Sequence, residues 1–217
     1  YIAIMDNIDT DKGLNDFLPI QDWFNEMHAK NTSQKVRAVL KNKGNSGIPT
    51  TSYPPYGYLK SPEDNTKWIV DEPAAKIVRK IFDLCILGYG TTQIARILKE
   101  ENIMTPTEYR QSIGLKTNTE LQVVKHYWNN RSIGFILDRQ EYIGDTVNFR
   151  TTKRSFKDHT KVFLPKEQWK IFKNTHEPII DEETWNTVQR IRSNKRRTTK
   201  TGKVSIFSGH LFCKDCR

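Results

Sequence analysis

A chain of 217 residues exceeds the usual single-domain length of about 100–150 residues, which implies two or three modules. Its formal net charge of +10 and pI of about 9.5 suit a polyanionic partner, of which nucleic acid is the commonest. No apolar run approaches the roughly 20 residues that span a bilayer, no secretory signal pattern is present, and three cysteines make no disulfide framework, so the expected setting is a reducing cytoplasm.

In chain order, Tyr1–Ile4 is a short apolar run that reads as the last strand of a sheet whose remainder is absent, and a polar loop, Asp6–Gly13, follows. From Leu14 to Lys43 the pattern is helical. Phe17, Ile20, Phe24, Met27, Val36 and Val39 or Leu40 recur near helical spacing, with Pro19 tolerated in the first turn. The second half of this helix is cationic. Lys30, Lys35, Arg37, Lys41 and Lys43 form a set expected to meet phosphate.

Lys43–Tyr58 reads as a linker. Gly44, Gly47 and Pro49 are expected to break the helix, and small polar groups such as Ser46 and Thr50, with Tyr56 beyond them, are placed to follow a DNA groove; a simple tether is the alternative. Pro54–Tyr58 then enters a strand, with Trp68–Val70 as its hairpin partner across a turn at Ser61–Asn65.

Two helices joined by a tight turn come next, a helix-turn-helix candidate. Asp71 is the expected cap of the first, Pro73 lies in its first turn, and Ala74, Val78, Ile81, Phe82 and Cys85 make one apolar face. Gly88 and Gly90 stop it, because glycine takes the left-handed cap conformation at little cost. Thr91 or Thr92 is expected to cap the second helix, with Ile94, Ala95, Ile97 and Leu98 inward and Pro106 beyond its end. An ordinary helical hairpin fits the same spacing.

After Pro106 the pattern is poor, with one short helix expected near Thr119–Lys125. A third good helix opens at Trp128-Asn129-Asn130-Arg131-Ser132, turns Ile133, Ile136 and Leu137 inward, and closes at Tyr142-Ile143-Gly144. Asn130, Arg131 and Ser132 stand at its exposed start, where Asn suits adenine, Arg suits guanine and Ser suits phosphate; Arg139 adds a cation farther along. Short strands at Thr146–Phe149 and Val162–Leu164 flank a basic tip carrying Arg150, Lys153, Arg154 and Lys157. His176 has no partner at ligand spacing and reads as structural. Asp181 caps a last helix with Trp185, Val188 and Ile191 inward, and a cationic linker containing Arg196 and Arg197 follows. Cys213 and Cys216, at x2 spacing, could supply half of a tetrahedral zinc site. Cys85 reads as a packing residue.

These stretches occur in an order that strongly resembles the large serine recombinases, the integrases and transposases of phages and mobile elements. The order runs from Tyr1–Ile4 with Asn7 and Asp9-Thr10, through Asn25-Glu26, Ala29-Lys30, Thr32-Ser33, Lys35 and Arg37, to Pro54–Tyr58. It continues through Trp68 to Leu98, Ile136-Leu137 with Tyr142–Gly144, Thr175–Asp181 with Trp185, and Phe207-Ser208-Gly209 with Cys213 and Cys216.

The resemblance implies an α+β, mainly helical fold with a long N-terminal helix, a helix-turn-helix-like domain with short β-hairpins, and the start of a zinc ribbon. Residues 1–43 would end a resolvase-type catalytic domain with its dimerisation helix, 44–55 would be a linker, and 56–195 the recombinase DNA-binding domain. Residues 196–203 would be a basic linker, and 204–217 would begin the ribbon. In that family a serine attacks DNA phosphodiesters to form phosphoserine links, and those residues would lie upstream of Tyr1. Ser33 matches no nucleophile motif, and His28-Ala29 stands where small resolvases carry a Glu-Arg pair, so no catalytic residue is carried over and this stretch alone is not expected to cut DNA. The implied partners are an attachment-site duplex and further copies of the protein, with no membrane, in a bacterial or phage-encoded, nucleoid-associated setting. A non-catalytic helix-turn-helix regulator is the alternative, and a basic scaffold for protein partners is a third.

Overall fold

The computed structural model describes residues 2–3, 8–9, 18–115, 117 and 124–193. The chain divides into two compact units: Tyr1–Thr50 with Val147–Ile171, and Thr51–Thr146 with Phe172–Arg217. The described residues form a mixture of helices and short two-stranded sheets, and the α+β, mainly helical expectation holds at that level.

In the first unit, β1 (Ile2–Ala3) pairs antiparallel with β2 (Ile8–Asp9), so the opening strand finds its partner within the stretch read as a polar loop. The helix α1 spans Leu18–Asn45, with Pro19 in its first turn as expected. At 1.5 Å per residue such a helix is about 42 Å long. Its apolar side chains Ile20, Trp23, Phe24, Met27, Val36, Val39 and Leu40 are all exposed.

Gly44 does not break this helix. It lies within it, and an added Cβ would stand 2.2 Å from the Phe149 ring, so the missing side chain is what lets that ring approach. The turn falls at Gly47, whose φ of +80° lets the Ile48 amide reach back to the Lys43 carbonyl at 3.2 Å.

The same unit holds the basic hairpin. Strands β6 (Thr151–Lys153) and β7 (Lys161–Phe163) pair antiparallel, with Thr151 opposite Phe163, Thr152 opposite Val162 and Lys153 opposite Lys161. The Leu164 amide donates to the Arg150 carbonyl at 2.9 Å, and the Trp169 indole N–H donates to the Leu164 carbonyl at 2.9 Å. Strands β5 (Thr146–Asn148) and β8 (Lys170–Phe172), which flank the hairpin in sequence, form a separate two-stranded sheet.

The second unit opens on the expected hairpin. Here β3 (Tyr58–Lys60) lies antiparallel to β4 (Trp68–Val70), with Tyr58 opposite Val70. Asp64 organises the turn by accepting from the Thr66 amide and hydroxyl at 2.9 and 2.6 Å.

Helix α2 (Glu72–Ile86) is the hub, packing on α3 (Thr91–Glu100), α5 (Asn130–Leu137) and α6 (Glu182–Ser193). Its Val78, Ile81 and Phe82 are fully buried against Ile94, Leu98, Ile133, Leu137, Tyr142 and Val188. Each such side chain contributes about 1.5–3 kcal/mol by leaving water. Cys85 is buried among them as a packing residue.

Several boundaries differ from the sequence reading. Gly90, extended at φ −74° and ψ 160°, is the residue before α3, and the Gln93 side chain accepts from its amide at 2.9 Å; Thr91 is already helical. Pro106 does not merely follow α3, because it begins α4 (Pro106–Ser112). Thr105 accepts from the Glu108 amide and Glu108 accepts from the Thr105 amide, a reciprocal cap. Helix α5 ends at Leu137 rather than at Tyr142–Gly144; a 3-10 turn, Gln140–Ile143, then ends at left-handed Gly144. The short helix expected near Thr119–Lys125 falls mostly outside the described residues, and so do Arg196, Arg197, Cys213 and Cys216.

Candidate nucleic-acid interface

The start of α5 is held from three sides. The Asn129 side chain accepts from the Arg131 amide at 2.9 Å, capping the helix. One residue earlier, the Trp128 indole N–H donates to the Ile103 carbonyl at 2.9 Å while its ring is buried. Before that, left-handed His126 donates its amide to the Glu108 carboxylate at 2.8 Å. Burial alone would raise the Glu108 pKa, but amide donors from His126 and Thr105 outweigh it and keep the carboxyl below its ordinary value.

From this fixed platform Asn130 and Arg131 are exposed and Ser132 is half-buried. The neighbouring α3 brings Lys99 to 5.7 Å above the exposed Tyr127 ring, adding a cation and an aromatic face three residues before Asn130. Asn130, Arg131 and Ser132 are therefore brought together as the sequence reading placed them. Lys99 and Tyr127 were missed, since only the packing of α3 on α5 joins them.

Other candidates are differently employed. Tyr56 is 8% exposed and packs edge-on against Tyr109 and Trp128; its ring belongs to the core and is not free to follow a groove. Burial pushes its hydroxyl well above the ordinary tyrosine range. Arg139 lies 3.5 Å from the carboxylate of Glu141, whose side chain is almost wholly buried. His176 is structural, as expected. It stands edge-on to Tyr58 at 4.8 Å, and its Nε2 lies 2.8 Å from the Glu141 carbonyl.

In the first unit, Lys35, Arg37, Lys41 and Lys43 are exposed along α1. At 100° per residue, Lys30, Arg37 and Lys41 fall within about 40° of one another around the helix, while Lys35 and Lys43 point elsewhere. A single contact face on α1 would hold the first three only.

The helix exit is built rather than slack. The buried Asn148 side chain accepts from the Thr50 amide and hydroxyl at 3.1 and 3.2 Å, and donates to the Gly44 and Ile48 carbonyls at 3.1 and 3.0 Å. Ser46 donates its hydroxyl to the Asn42 carbonyl at 3.0 Å. The Thr50 and Ser46 hydroxyls thus shape this exit, and Asn148, which the sequence reading passed over, is its centre.

On the hairpin, Arg150 lies 5.0 Å over the Trp169 ring, Arg154 sits 3.9 Å from Asp158, and Lys157 pairs with Glu26 at 2.6 Å. Lys153 is exposed. Among the described residues there is no His/Cys/Asp/Glu group that could hold a metal ion, and no helix long and apolar enough to cross a membrane.

A helical core that presents a capped helix start, together with an exposed cationic helix and hairpin, defines a protein with surfaces suited to a polyanion. The model of the Recombinase family matches residues 72–195, more than half of the chain, and the chain belongs to that family. It is 31% identical over 90 residues to the Uncharacterized protein YefB of Bacillus subtilis strain 168, covering 42% of this chain and 30% of that protein. Among solved structures it is similar to an LSR–DNA complex, at 19% identity and a TM-score of 0.48, covering 81% of this chain and 45% of that one. A structure concerned with the sequence requirements of the Listeria innocua prophage attP site matches at 22% identity and a TM-score of 0.46, covering 75% and 52%. The chain therefore spans under a third of that relative and about half of each structure.

Proposed function

We propose that this chain is the DNA-binding portion of a large serine recombinase, one that recognises attachment-site DNA for integration or excision of a mobile element. The observation that carries the reading is the family match over residues 72–195, which contains the rigidly held start of α5 with Asn130 and Arg131 exposed. In this reading Arg131 and Asn130 address base edges, while the α1 cations and the hairpin meet phosphates.

Strand exchange through a phosphoserine intermediate is assigned to a catalytic domain preceding this region. The exposed apolar side chains of α1, including Trp23, Phe24 and Met27, support self-association of the whole protein. Cys213 and Cys216 are assigned as half of a zinc site in an adjoining ribbon, and the setting as cytoplasmic.

The test is a binding titration across a salt series, comparing duplexes from the ends of the parent mobile element with scrambled duplexes of equal length. Preference of roughly a thousandfold or more for the element ends supports site reading. Equal binding with a steep salt slope would leave only a basic surface and remove the assignment of α5.

A further inference from the structure

We propose that the outward face of the β6–β7 hairpin is a DNA seat in which Lys153 and Lys161 share phosphate and Phe163 packs on the neighbouring sugar and base edge. This rests on the DNA-binding reading above and adds two residues to it.

Strand register supplies the argument. Side chains alternate across a strand, and Val162 is half-buried while Lys161 and Phe163 are exposed. Their partners opposite are Lys153 and Thr151, so Thr151, Lys153, Lys161 and Phe163 share one face. Phe163 is 77% exposed, more than any other large apolar side chain among the described residues. A ring left so open within a three-residue strand contributes little to the hairpin's own packing.

The lysines point the same way. Directly opposed like charges, with Cβ atoms about 4.5–5.5 Å apart, destabilise a strand pair. Neighbouring Arg154 and Lys157 each have a carboxylate, Asp158 and Glu26 respectively. Among the described residues Lys153 and Lys161 have none, and they are the two cations on the phenylalanine's face. An anion between them converts their repulsion into a clamp. Phe163 stands two cross-strand pairs away, about 7 Å along the strand. A duplex offers both features at that separation, a charged backbone and an apolar sugar and base surface. An acidic peptide would supply the charge without a reason for the ring.

The experiment measures affinity of the full chain for a fluorescein-labelled mixed-sequence duplex across a salt series. Lys153→Ala and Lys161→Ala are each expected to lower the slope of log affinity against log salt by about one. The double variant is expected to lose less than the sum, because removing either lysine relieves the repulsion on the other. Phe163→Ala is expected to weaken binding about tenfold with the slope unchanged. Phe163→Trp is expected to bind like the parent, and Phe163→Leu to fall between them.

An exposed ring leaves thermal unfolding unaltered when truncated, which separates a lost contact from a lost fold. Parent-like binding by Phe163→Ala would overturn the proposal while leaving the DNA-binding reading intact, and so would a loss that changes the salt slope as the lysines do. Failure of the parent chain to bind any duplex would remove both.

Discussion

Replacing Asn148 with Ala removes four hydrogen bonds at one point of the first unit, and the structure sets the size of the effect. The side chain is 2% exposed, and its partners are the Thr50 amide and hydroxyl and the Gly44 and Ile48 carbonyls. The Thr50 hydroxyl rotates to water at little cost. The bond to Gly44 is buried, while those to Ile48 and the Thr50 amide are partly open. A buried group left unpaired costs about 1–3 kcal/mol, and a partly hydrated one less, so the total is about 2–4 kcal/mol.

The assay is amide hydrogen exchange at Thr50, whose acceptor is the deleted carboxamide. Exchange there is expected to accelerate by roughly 30- to 1000-fold, since each 1.4 kcal/mol is a factor of about ten in the opening equilibrium. Amides in α2 are expected to keep their protection, because their core lies in the other unit. Unchanged exchange at Thr50, or equal acceleration in α2 and at Thr50, would refute the view that Asn148 locally locks the helix exit.

Gly44→Ala is expected to destabilise the first unit by about 1–3 kcal/mol through overpacking against the Phe149 ring, and Phe149→Leu to recover part of it in chemical denaturation. Independence of the two substitutions would exclude the contact. Burial holds the His176 pKa below its ordinary value, so the unfolded chain takes up a proton that the folded chain refuses. Stability from this group is therefore complete above about pH 6.5, falls as pH drops below that, and levels off once the folded imidazole also protonates. The unfolding midpoint is expected to fall between pH 7.5 and about 5.5 and to flatten in His176→Asn; parallel curves would place the effect elsewhere. Arg131→Ala is expected to cost roughly 1–3 kcal/mol on the preferred site and to relax preference at one base position. Equal losses on specific and random duplexes would reduce it to a phosphate contact.

Legibility in the sequence followed the range of the determining contacts. Ala74, Val78, Ile81, Phe82 and Cys85 announce α2 because its burial repeats at helical spacing within one segment. Asn129 announces α5 in the same local way. Thr105-Pro106-Thr107-Glu108 carried an equally local signal, a capping box with proline in the first turn, that the reading of Pro106 as a helix terminator obscured. Tyr56 was misplaced because its neighbours Tyr109 and Trp128 lie far along the chain, and an aromatic residue in a Pro-Gly segment gives no sign of which surface it faces. Asn148 was invisible for the same reason; its partners are about a hundred residues away. The like-charge pair Lys153 and Lys161 needed the strand register, which no short-range pattern supplied.

The Asn148 lock also bears on how this protein can be dissected. The hairpin segment lies inside the stretch matched by the family, yet its structural partner is the end of α1, well before that stretch begins. A fragment trimmed to the family boundaries would carry the carboxamide without Gly44, Ile48 or Thr50 to satisfy it. Exchange of this segment between relatives therefore has to move two separated pieces of chain together, the helix exit and the hairpin, as one inheritance.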